Sequence, residues 1–487
     1  MLCGECPMPN AKNTIEPAIL KGFQDFFPED LLARRQIIRT IERVFELYGF
    51  APLETPAMEY LEALLGSGGD AANKELFRLE SPEGEAVALR FDLTVPFARM
   101  IAQYPDRLKP PVRRYAIGPV WRADKPGPGR FRQFVQCDAD IAGAANIAAD
   151  AEIIALMAAI MNALGARDYA ILINSRKLID ALLDHCGIVE EARQKHVLRV
   201  IDKREKVGVE NVRLELGGGR VDESGDPIPG ACLDEKTIDA ILALVAIAGD
   251  SRADTVARLA DALPDTPAAR EALQEMRELA DILAAIGIPE AHARFEPSLA
   301  RGLDYYTGPV FEAVFNNARE FGSVMGGGRY DGLTGRFADR AIPCTGTSVG
   351  LDRFCAALKH LGLLETAATP VQVLVVSIGN VPKAETMRLA TELRAAGIRT
   401  ETYFAARKKM QMSSQLSHAD HYGIPVAVII GEDELARGLV SVKDLRAGKA
   451  QRADITDRNA YRQAGKTAQV TIPRTEMIAE IQRVLKT

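Results

Sequence analysis

Apolar residues recur every three or four positions between residues 31 and 45. That spacing places side chains on one face of a helix, so the segment predicts an amphipathic helix after an opening turn. Gly49 then fits a helix C-cap, and a short extended segment ends at Pro56. The apolar positions of the helix are Leu31, Ile37, Ile38, Ile41, Val44 and Phe45.

Strand-like and helical stretches alternate further along the chain. Residues 86–102 and 111–143 predict short strands separated by loops rich in Gly and Pro, and residues 146–164 predict a buried, alanine-rich helix. From 184 to 290, Ala, Leu, Glu and Arg dominate with repeated helical periods, which indicates a small helical domain between two halves of another. Strand and glycine patterns return at 293–355.

The last quarter of the chain has a different pattern. After a linker at 361–369, apolar strands alternate with helices from Pro370 onward. VQVLVVSI and PVAVIIGE are strand-like and KAETMRLATELRAAGI is helical, so we expect a small α/β domain.

Composition narrows the class of protein. The 487 residues, 47% hydrophobic and 26% charged, predict a soluble globular protein of several domains. No apolar run is long enough to span a bilayer and the N-terminus lacks a secretory signal, so we expect a cytoplasmic protein without membrane contact. The formal net charge of −6 offers nucleic acid no global attraction, so any RNA contact must come from local basic patches.

The seven cysteines are scattered, which indicates free thiols in a reducing compartment. Cys3 and Cys6 form a CxxC, but no second CxxC and no His pair completes a zinc site. We therefore expect a flexible tail over residues 1–19 and no metal site made by protein side chains.

A basic loop and a polar strand follow one another in GPVWRADKPGPGRFRQFVQCDADIAG, residues 118–143. Four cations surround the turn signal KPGPG, and arginine forks suit phosphates, although a solvated surface hairpin is the open alternative. Gln136, Asp138 and Asp140 stand two residues apart, so they share one face of a strand and predict a recognition surface for a polar ligand. The cations are Arg122, Lys125, Arg130 and Arg132.

The stretch RGLDYYTGPVFE, residues 301–312, sets Tyr305 and Tyr306 side by side, although neighbouring strand residues face apart. Either the chain bends near Gly302 and both tyrosines face one pocket, or the stretch is regular strand and only Tyr306 lines it.

Two glycine-rich stretches follow. MGGGRYDGL permits close approach of backbone to a ligand, and GTSVGLDRF ends at the start of a helix that carries Arg353.

In this order, the motifs resemble class II aminoacyl-tRNA synthetases, and among them the histidyl-tRNA synthetase family. KGFQDFFPED and YGFAPLETPAMEY resemble that family's opening and its motif 1, with Pro56 at the motif's proline. The 118–143 stretch resembles motif 2 and GTSVGLDRF resembles motif 3. RGLDYYTGPVFE and MGGGRYDGL resemble its two histidine motifs, and IIGEDELARGLVSVKDL resembles part of its anticodon-binding domain.

The resemblance implies an α+β fold: a class II synthetase catalytic core, with an antiparallel sheet flanked by helices, a helical insertion and a C-terminal α/β anticodon-binding domain. The expected division is a flexible tail at 1–19, catalytic core at 20–183 and 291–360, the insertion at 184–290, a linker at 361–369 and the anticodon-binding domain at 370–487.

The resemblance also implies the activity. A member of this family is a histidine–tRNA ligase, which activates L-histidine with ATP, releases pyrophosphate, and transfers histidine to the 3′ end of its tRNA. Mg²⁺ is expected with ATP, and a homodimer is expected with motif 1 at the interface. The family's motif 2 loop meets the acceptor end of the tRNA, and because ADKPGPGRF departs from the commonest bacterial version, the acceptor bases read here stay open.

Site roles follow from the same resemblance. Arg122 and Arg301 are the implied catalytic residues, one on each side of the α-phosphate. The implied ATP-binding residues are Arg122, Arg130 at the γ-phosphate, and Phe134 and Arg353 on the two faces of adenine.

The implied histidine-binding residues are Asp92, Thr94, Arg122, Gln136, Asp140, Arg301, Tyr305 and Tyr306. Asp92 would hold the α-amino group, Asp140 would accept from one imidazole nitrogen, and Tyr306 would engage the other. A pocket that pairs both ring nitrogens rejects amino acids that lack them, because its own polar groups would stay unpaired.

Two alternatives belong to other classes of protein. A paralogue that regulates histidine biosynthesis would usually lack the C-terminal domain and have eroded histidine motifs, whereas Arg301, Tyr305 and Tyr306 are all present. A pure RNA-binding protein fits neither the acidic net charge nor the ATP-type site.

Overall fold

The computed structural model describes residues 16–66, 73–127, 129–222, 225–300, 305–364, 366–404, 411–450 and 468–486. These residues form two compact units. One comprises residues 36–364 with the described residues before 26, and the other comprises 26–35 with the described residues after 364. Cys3, Cys6 and most of the predicted N-terminal tail lie outside the described residues.

The described helices and strands follow the sequence patterns closely in most places. The helices are α1 (Pro28–Leu47), α2 (Leu61–Leu64), α3 (Thr94–Gln103), α4 (Ala148–Ala163), α5 (Arg176–His185), α6 (Glu191–Asp202), α7 (Arg204–Val207), α8 (Val209–Leu216), α9 (Glu235–Val245), α10 (Arg252–Ala262), α11 (Pro267–Ala285), α12 (Leu351–His360), α13 (Lys383–Ala395), α14 (Met412–His421), α15 (Glu432–Arg437), α16 (Leu445–Ala450) and α17 (Met477–Lys486). The strands are β1 (Ala51–Pro52), β2 (Met58–Tyr60), β3 (Arg78–Glu80), β4 (Ala86–Leu89), β5 (Val112–Trp121), β6 (Gln133–Ala142), β7 (Tyr169–Ser175), β8 (Gly219–Val221), β9 (Pro227–Pro229), β10 (Ala293–Phe295), β11 (Pro309–Phe315), β12 (Met325–Arg329), β13 (Cys344–Gly350), β14 (Val373–Ser377), β15 (Thr400–Thr402), β16 (Val426–Ile430), β17 (Leu439–Asp444) and β18 (Gln469–Pro473).

The first unit is built on a sheet of eight described strands in the order β1-β5-β6-β13-β12-β11-β7-β10. The pairs β1–β5 and β7–β10 at its two edges are parallel and the five pairs between them are antiparallel. Helix α4 packs against this sheet. Most residues of the helix are apolar and buried, and they lie on nearly all of its sides. This antiparallel-rich core flanked by helices confirms the predicted fold class.

The segment 86–102 differs from its prediction. Strand β4 ends at Leu89, and the chain then forms helix α3 where short strands and loops were expected. Pro96 lies in the first turn of α3, where a missing backbone N–H breaks no helical hydrogen bond. The carboxylate of Asp92 accepts a hydrogen bond from the Val95 N–H at 3.0 Å and so caps the helix start.

The helical segment between β7 and β10 belongs to the first unit and holds α5 to α11. It also contains the β8–β9 hairpin, which the helical pattern did not predict. The glycines around residue 218 serve this hairpin: a Cβ at Gly230 would lie 2.0 Å from the Gly217 carbonyl oxygen. A Cβ at Gly219, on the facing strand, would likewise lie 2.4 Å from the Ile228 carbonyl oxygen, so both glycines permit close backbone packing.

The second unit carries a five-stranded sheet in the order β15-β14-β16-β17-β18. Strand β14 pairs in parallel with β15 and β16, whereas β17 and β18 add antiparallel pairs. Apolar residues of α13 and α17 cover one face of the sheet, and residues of α14 cover the other. The α/β alternation predicted from Pro370 onward is thus present, with an antiparallel pair added at one edge.

Within the described ranges, no helix combines the length and apolar character needed to cross a membrane. The same ranges contain no group of three or more His, Cys, Asp or Glu side chains arranged to hold a metal ion.

Candidate active site

A cavity of about 440 Å³ opens on the eight-stranded sheet of the first unit. Strands β6, β12 and β13, the start of α3 and the start of α12 form its walls. The structure brings together every predicted site residue that it describes. These are Asp92, Thr94, Arg122, Arg130, Phe134, Gln136, Asp140, Tyr305, Tyr306 and Arg353. Arg301 lies outside the described residues.

Strand β6 supplies the polar floor of the cavity. Its two-residue period sends Cys137, Ala139 and Ile141 into the hydrophobic core and leaves Gln136 and Asp140 on the cavity side. Gln136 donates from Nε2 to the Ser348 hydroxyl on β13 at 2.5 Å. Its Oε1 is buried without a hydrogen-bond partner among the described residues, so this oxygen is an acceptor available to a ligand.

Asp138 shares that face with Gln136 and Asp140 but does not line the cavity. It is 1% exposed and stands between Ala116 of β5 and Ser348 of β13 in the sheet register. Burial raises the pKa of Asp138 to about 7, and the neighbouring charge of Asp140 adds to the effect. Of the three residues predicted to form a recognition surface, Gln136 and Asp140 line the cavity and Asp138 does not.

Asp92 lies at the N-terminus of α3, where one carboxylate oxygen caps the helix. Its Oδ2 is buried and has no hydrogen-bond partner within the described residues. Burial raises the pKa of Asp92 to about 6, against the opposing hydrogen bond from Val95 and the charge of Arg122. At neutral pH, Asp92 is therefore mostly a carboxylate, with one oxygen ready to accept from a cation.

Asp140 is held from below by two residues that sequence reasoning missed. The Tyr330 hydroxyl donates to its Oδ1 at 2.5 Å, and the Arg114 guanidinium forms an ion pair with its Oδ2 at 2.7 Å. All three side chains are almost fully buried. Tyr330 belongs to the MGGGRYDGL motif, which was noted for its glycines alone, and Arg114 carried no local signal beyond its position on a strand.

Tyr305 and Tyr306 both line the cavity. They precede β11, which starts at Pro309, so they are not constrained to the alternating faces of a strand. Their ring centroids are 4.9 Å apart, and Tyr305 also makes an edge contact with Tyr330 at 5.9 Å. Of the two conformations considered from sequence, the structure has the one in which both tyrosines reach the pocket.

Glycines of β12 and β13 make room for these side chains. A Cβ at Gly346 would lie 2.0 Å from Asp140 Oδ1, and a Cβ at Gly328 would lie 2.7 Å from the Tyr306 ring. A Cβ at Gly327 would meet the Gly346 carbonyl oxygen at 2.0 Å. The triple glycine therefore admits neighbouring strands and aromatic rings, in addition to lining the cavity.

The other end of the cavity is cationic. The Arg122 guanidinium donates to the Phe91 carbonyl at 3.0 Å and lies over the Phe134 ring, 5.3 Å from its centroid. Arg353 donates to the Ser323 carbonyl at 2.9 Å. Burial lowers the pKa of Arg353, and the positive charge of Arg130 lowers it further, so these arginines share one electrostatic environment.

Arg130 sits at the tip of the β5–β6 hairpin and is paired with Asp124 at 2.7 Å. Asp124 in turn shares a hydrogen bond with Glu75, and burial together with that contact raises the pKa of Glu75 to about 7. The basic hairpin is therefore partly surface and partly cavity wall, because Arg130 is more than half exposed while Arg122 faces inward.

Four further acids line the cavity without having been predicted: Asp124, Asp202, Glu312 and Asp352. Asp202, at the end of α6, reaches it from the helical segment, and Glu312 reaches it from β11. Glu312 is the last residue of the RGLDYYTGPVFE stretch and could have been found from strand periodicity. Nothing local in the sequence around Asp202 indicates the contact.

The arrangement suits a zwitterionic ligand with an attached polyphosphate. Buried acceptors on Asp92, Gln136 and Asp140 face one end, where an ammonium and a ring N–H would be satisfied. Arg122, Arg130 and Arg353 face the other end, where carboxylate and phosphate charge would be stabilised.

Comparison with known proteins agrees with this geometry. The family model described as Histidyl-tRNA synthetase matches residues 22–354, and the model described as Anticodon binding domain matches residues 372–483. The curated histidine–tRNA ligase of Paracoccus denitrificans is 44% identical over 484 residues, which cover 96% of this chain and 97% of that protein. That of a Ruegeria species is 41% identical over 498 residues, with 98% of each chain covered.

Solved structures give the same result. The histidyl-tRNA synthetase from Nostoc sp. PCC 7120 superimposes with a TM-score of 0.78 and 32% identity, covering 96% of this chain and 100% of that one. A Bacillus halodurans structure titled as an ATP phosphoribosyltransferase regulatory subunit/histidyl-tRNA synthetase has a TM-score of 0.67 at 24% identity, covering 85% of this chain and 99% of that one, and shows similarity of fold.

Proposed function

We infer the function from the family, because the chain belongs to the histidyl-tRNA synthetases. It is a histidine–tRNA ligase: it activates histidine with ATP and transfers the histidyl group to tRNA. In the first step the histidine carboxylate attacks the α-phosphorus, forming histidyl-adenylate and releasing pyrophosphate. In the second, a hydroxyl at the 3′ end of the tRNA attacks the histidyl carbonyl, an ester forms, and AMP leaves.

The histidine end of the cavity is assigned to the buried acceptors. Asp92 holds the α-amino group with its unpartnered Oδ2, assisted by Thr94 and Gln136. Asp140 accepts from one imidazole nitrogen and Tyr306 engages the other, while Tyr305 closes the same wall. The observation that carries this assignment is the pair of buried acceptors, Asp92 Oδ2 and Gln136 Oε1, which would cost stability if nothing satisfied them.

The arginine end is assigned to ATP. Arg122 and Arg301 flank the α-phosphate and the histidine carboxylate, and Arg130 takes the γ-phosphate after exchanging its contact with Asp124. Phe134 and Arg353 bind the two faces of adenine. For Arg301 the support is its place in the RGLDYY motif.

These assignments explain how the protein accelerates histidyl-adenylate formation without a covalent bond between enzyme and substrate. Negative charge grows on the α-phosphoryl oxygens as the carboxylate attacks, so fixed guanidinium groups stabilise the transition state more than the ground state. The carboxylate nucleophile belongs to the substrate itself, and the enzyme's contribution is to hold it in line with phosphorus.

Mg²⁺ is proposed to enter with ATP. The described residues offer no cluster of three ligands, and Mg²⁺ is commonly held by substrate phosphates, waters and one or two carboxylates. Glu312, on the cavity wall near Arg353, is the carboxylate that would hold it. When bound, the ion neutralises phosphate charge.

The tRNA is proposed to contact both units. The anticodon-binding match at 372–483 supports a proposed anticodon contact within residues 370–487, and the helical insertion at 184–290 is proposed to meet the acceptor arm. The catalytic core would then be residues 20–183 and 291–360, with a linker at 361–369.

A homodimer in the cytoplasm is proposed as the working form. An open groove beside Pro56 of motif 1 exposes Met58 and Tyr60 at 54% each and Tyr104 at 39%, an apolar surface that a second copy would cover. Sedimentation equilibrium tests this proposal, and a monomeric mass at micromolar concentration would contradict it.

The experiment that tests the activity is histidine-dependent exchange of pyrophosphate into ATP by the purified chain. An active-site role for Arg301 predicts that Arg301→Ala loses exchange while its thermal unfolding stays unchanged. Near-normal exchange in that variant would refute the role. A regulatory paralogue or a pure RNA-binding protein would show no histidine-dependent exchange at all.

A further inference from the structure

Arg114 lies directly beneath the histidine end of the cavity. It stands opposite Asp140 in the β5–β6 register, is 1% exposed, and does not itself line the cavity. Its Nη2 forms the ion pair with Asp140 Oδ2 at 2.7 Å. Arg114 therefore touches a proposed substrate-binding residue from the side away from substrate.

The same guanidinium also contacts the segment that begins helix α3. Its Nη2 donates to the Leu93 carbonyl at 2.9 Å, and its Cζ lies 4.4 Å from the centroid of the Phe97 ring. Leu93 stands between Asp92 and Thr94 in the chain. Arg114 thus connects the strand that carries Asp140 with the turn that carries the proposed α-amino contacts.

The positive charge of Arg114 acts on three buried carboxyl groups. Asp92, Asp138 and Asp140 are all buried, and the positive charge of Arg114 lowers the pKa of each one against the effect of burial. Tyr330 and Cys344 also face Asp140, and both are neutral, because burial raises the pKa of each well above its ordinary value. Two further cations act electrostatically on these carboxyls, Arg90 on Asp138 and Arg122 on Asp92.

We propose that Arg114 is a positioning residue for histidine specificity, which keeps Asp140 ionised and fixed as the acceptor for an imidazole N–H. The proposal rests on the proposed function, in which Asp140 contacts the ring. A protonated Asp140 would present a hydroxyl donor to the same nitrogen and leave the ring N–H unpaired. A neutral residue at position 114 would allow that protonation, because burial alone favours the neutral carboxyl.

The test is steady-state ATP–pyrophosphate exchange by the full chain from about pH 6 to about pH 9, the range in which buried carboxyls titrate. Arg114→Met should raise the KM for histidine about 10- to 100-fold while the KM for ATP stays within about twofold. The acid limb of kcat/KM for histidine should move to higher pH. Arg114→Lys, which keeps a cation, should restore the limb and most of the affinity.

Two backgrounds separate positioning from mere structure. In Asp140→Asn, which has no carboxylate to ionise, adding Arg114→Met should change the KM for histidine by less than about threefold. Arg252→Met is the matched control. Arg252 is also buried, at 3% exposed, and it donates to the backbone carbonyls of Ala293 and Ile288. This substitution should lower the unfolding temperature and leave the KM for histidine unchanged.

Several results would overturn the proposal. Equal rises in the KM values for histidine and ATP, or an acid limb unmoved in Arg114→Met, would reduce Arg114 to a structural role. Where Arg114→Met does not fold, Arg114→Gln decides, because glutamine is polar and uncharged: a selective rise in the KM for histidine supports positioning, and a common rise or no change refutes it. Absence of histidine-dependent exchange in the unmodified protein would overturn the proposed function, and this inference with it.

Discussion

At the scale of single residues, the site depends on carboxylates kept charged in places that disfavour charge. Asp92 achieves this at a helix start, where backbone N–H groups and the helix dipole oppose the effect of burial. Burial also raises the pKa of Asp140, and the charge of Arg114 and the hydrogen bond from Tyr330 oppose that rise. Asp138, which lacks an equally close cation, has a pKa near neutrality.

Asp92→Asn should raise the KM for histidine about 10- to 100-fold, the effect of losing a charge-assisted hydrogen bond worth about 1.5–3 kcal/mol. Asparagine can still cap helix α3, so the fold should remain. Pyrophosphate exchange over a range of histidine concentrations measures the effect. Asp234→Asn is the matched control, because Asp234 caps α9 through the Thr237 N–H far from the cavity. A KM equal to that of the unmodified protein would show that Asp92 does not bind the amino group.

Asp138→Asn should stabilise the protein at alkaline pH. The folded-state pKa of Asp138, about 7, lies above the ordinary carboxyl value, so its contribution to stability is complete below about pH 4 and is lost as the pH rises through about 7. Asparagine resembles the protonated acid at every pH. Thermal unfolding should therefore show a gain of about 2 °C at about pH 8.5 and a smaller one at about pH 5. A gain of equal size at both values would exclude this titration as the cause.

These residues also show how far sequence patterns reach. Motif resemblance found Tyr305, Tyr306 and Arg353, because each stands in a short, specific run of residues. It did not find Arg114 or Tyr330, because their importance comes from a strand register and a ring contact between distant segments. Periodicity placed Gln136, Asp138 and Asp140 on one face of a strand. It could not show that Asp138 stands between Ser348 and Ala116 of the neighbouring strands, or that Asp138 does not line the cavity.

At the scale of elements, strands β6, β12 and β13 act as one surface whose shape is set by glycines. Helix α3 shows the limit of local pattern, since Pro96 and a cluster of buried apolar residues resembled a strand-and-loop segment. Strands β10 to β13 lie in the stretch 293–355, where strand and glycine patterns were predicted, whereas β7 lies in a stretch for which no element was predicted. Strands β5 and β6 are longer than the short strands expected, since they pair as a hairpin of ten residues each.

Gly346→Ala should disable the histidine end of the cavity through this shape. The added Cβ would lie 2.0 Å from Asp140 Oδ1, so the carboxylate must move from its contacts with Arg114 and Tyr330. We expect kcat/KM for histidine to fall at least about 100-fold. Gly332→Ala is the control, since nothing lies within 4 Å of a Cβ there. Equal activity of the two variants would show that the carboxylate tolerates displacement.

At the scale of the whole molecule, the two units have separate hydrophobic cores, one on each sheet. The boundary predicted at 361–369 falls where the chain passes from one unit to the other. Sequence did not indicate that residues 26–35 group with the second unit, because the helix pattern of α1 is continuous through residue 47.

An RNA hairpin that carries the anticodon stem and loop of the histidine tRNA should separate the two activities. At saturating concentration it should reduce tRNA charging about tenfold or more, because it competes for one of two linked contacts. Histidine-dependent pyrophosphate exchange should stay unchanged, since the cavity belongs to the other unit. A hairpin with a substituted anticodon is the control. Equal inhibition of charging and exchange would place the RNA contact at the cavity instead.

The alternation along β6 has a consequence for how this chain can vary in length. A single inserted residue before Gln136 would shift every later side chain of the strand to the opposite face. Cys137 and Ala139 would then face the ligand, and Asp138 and Asp140 would enter the hydrophobic core. The number of residues in this strand is therefore as constrained as their identity, and tolerated insertions should concentrate in the hairpin loop between β5 and β6.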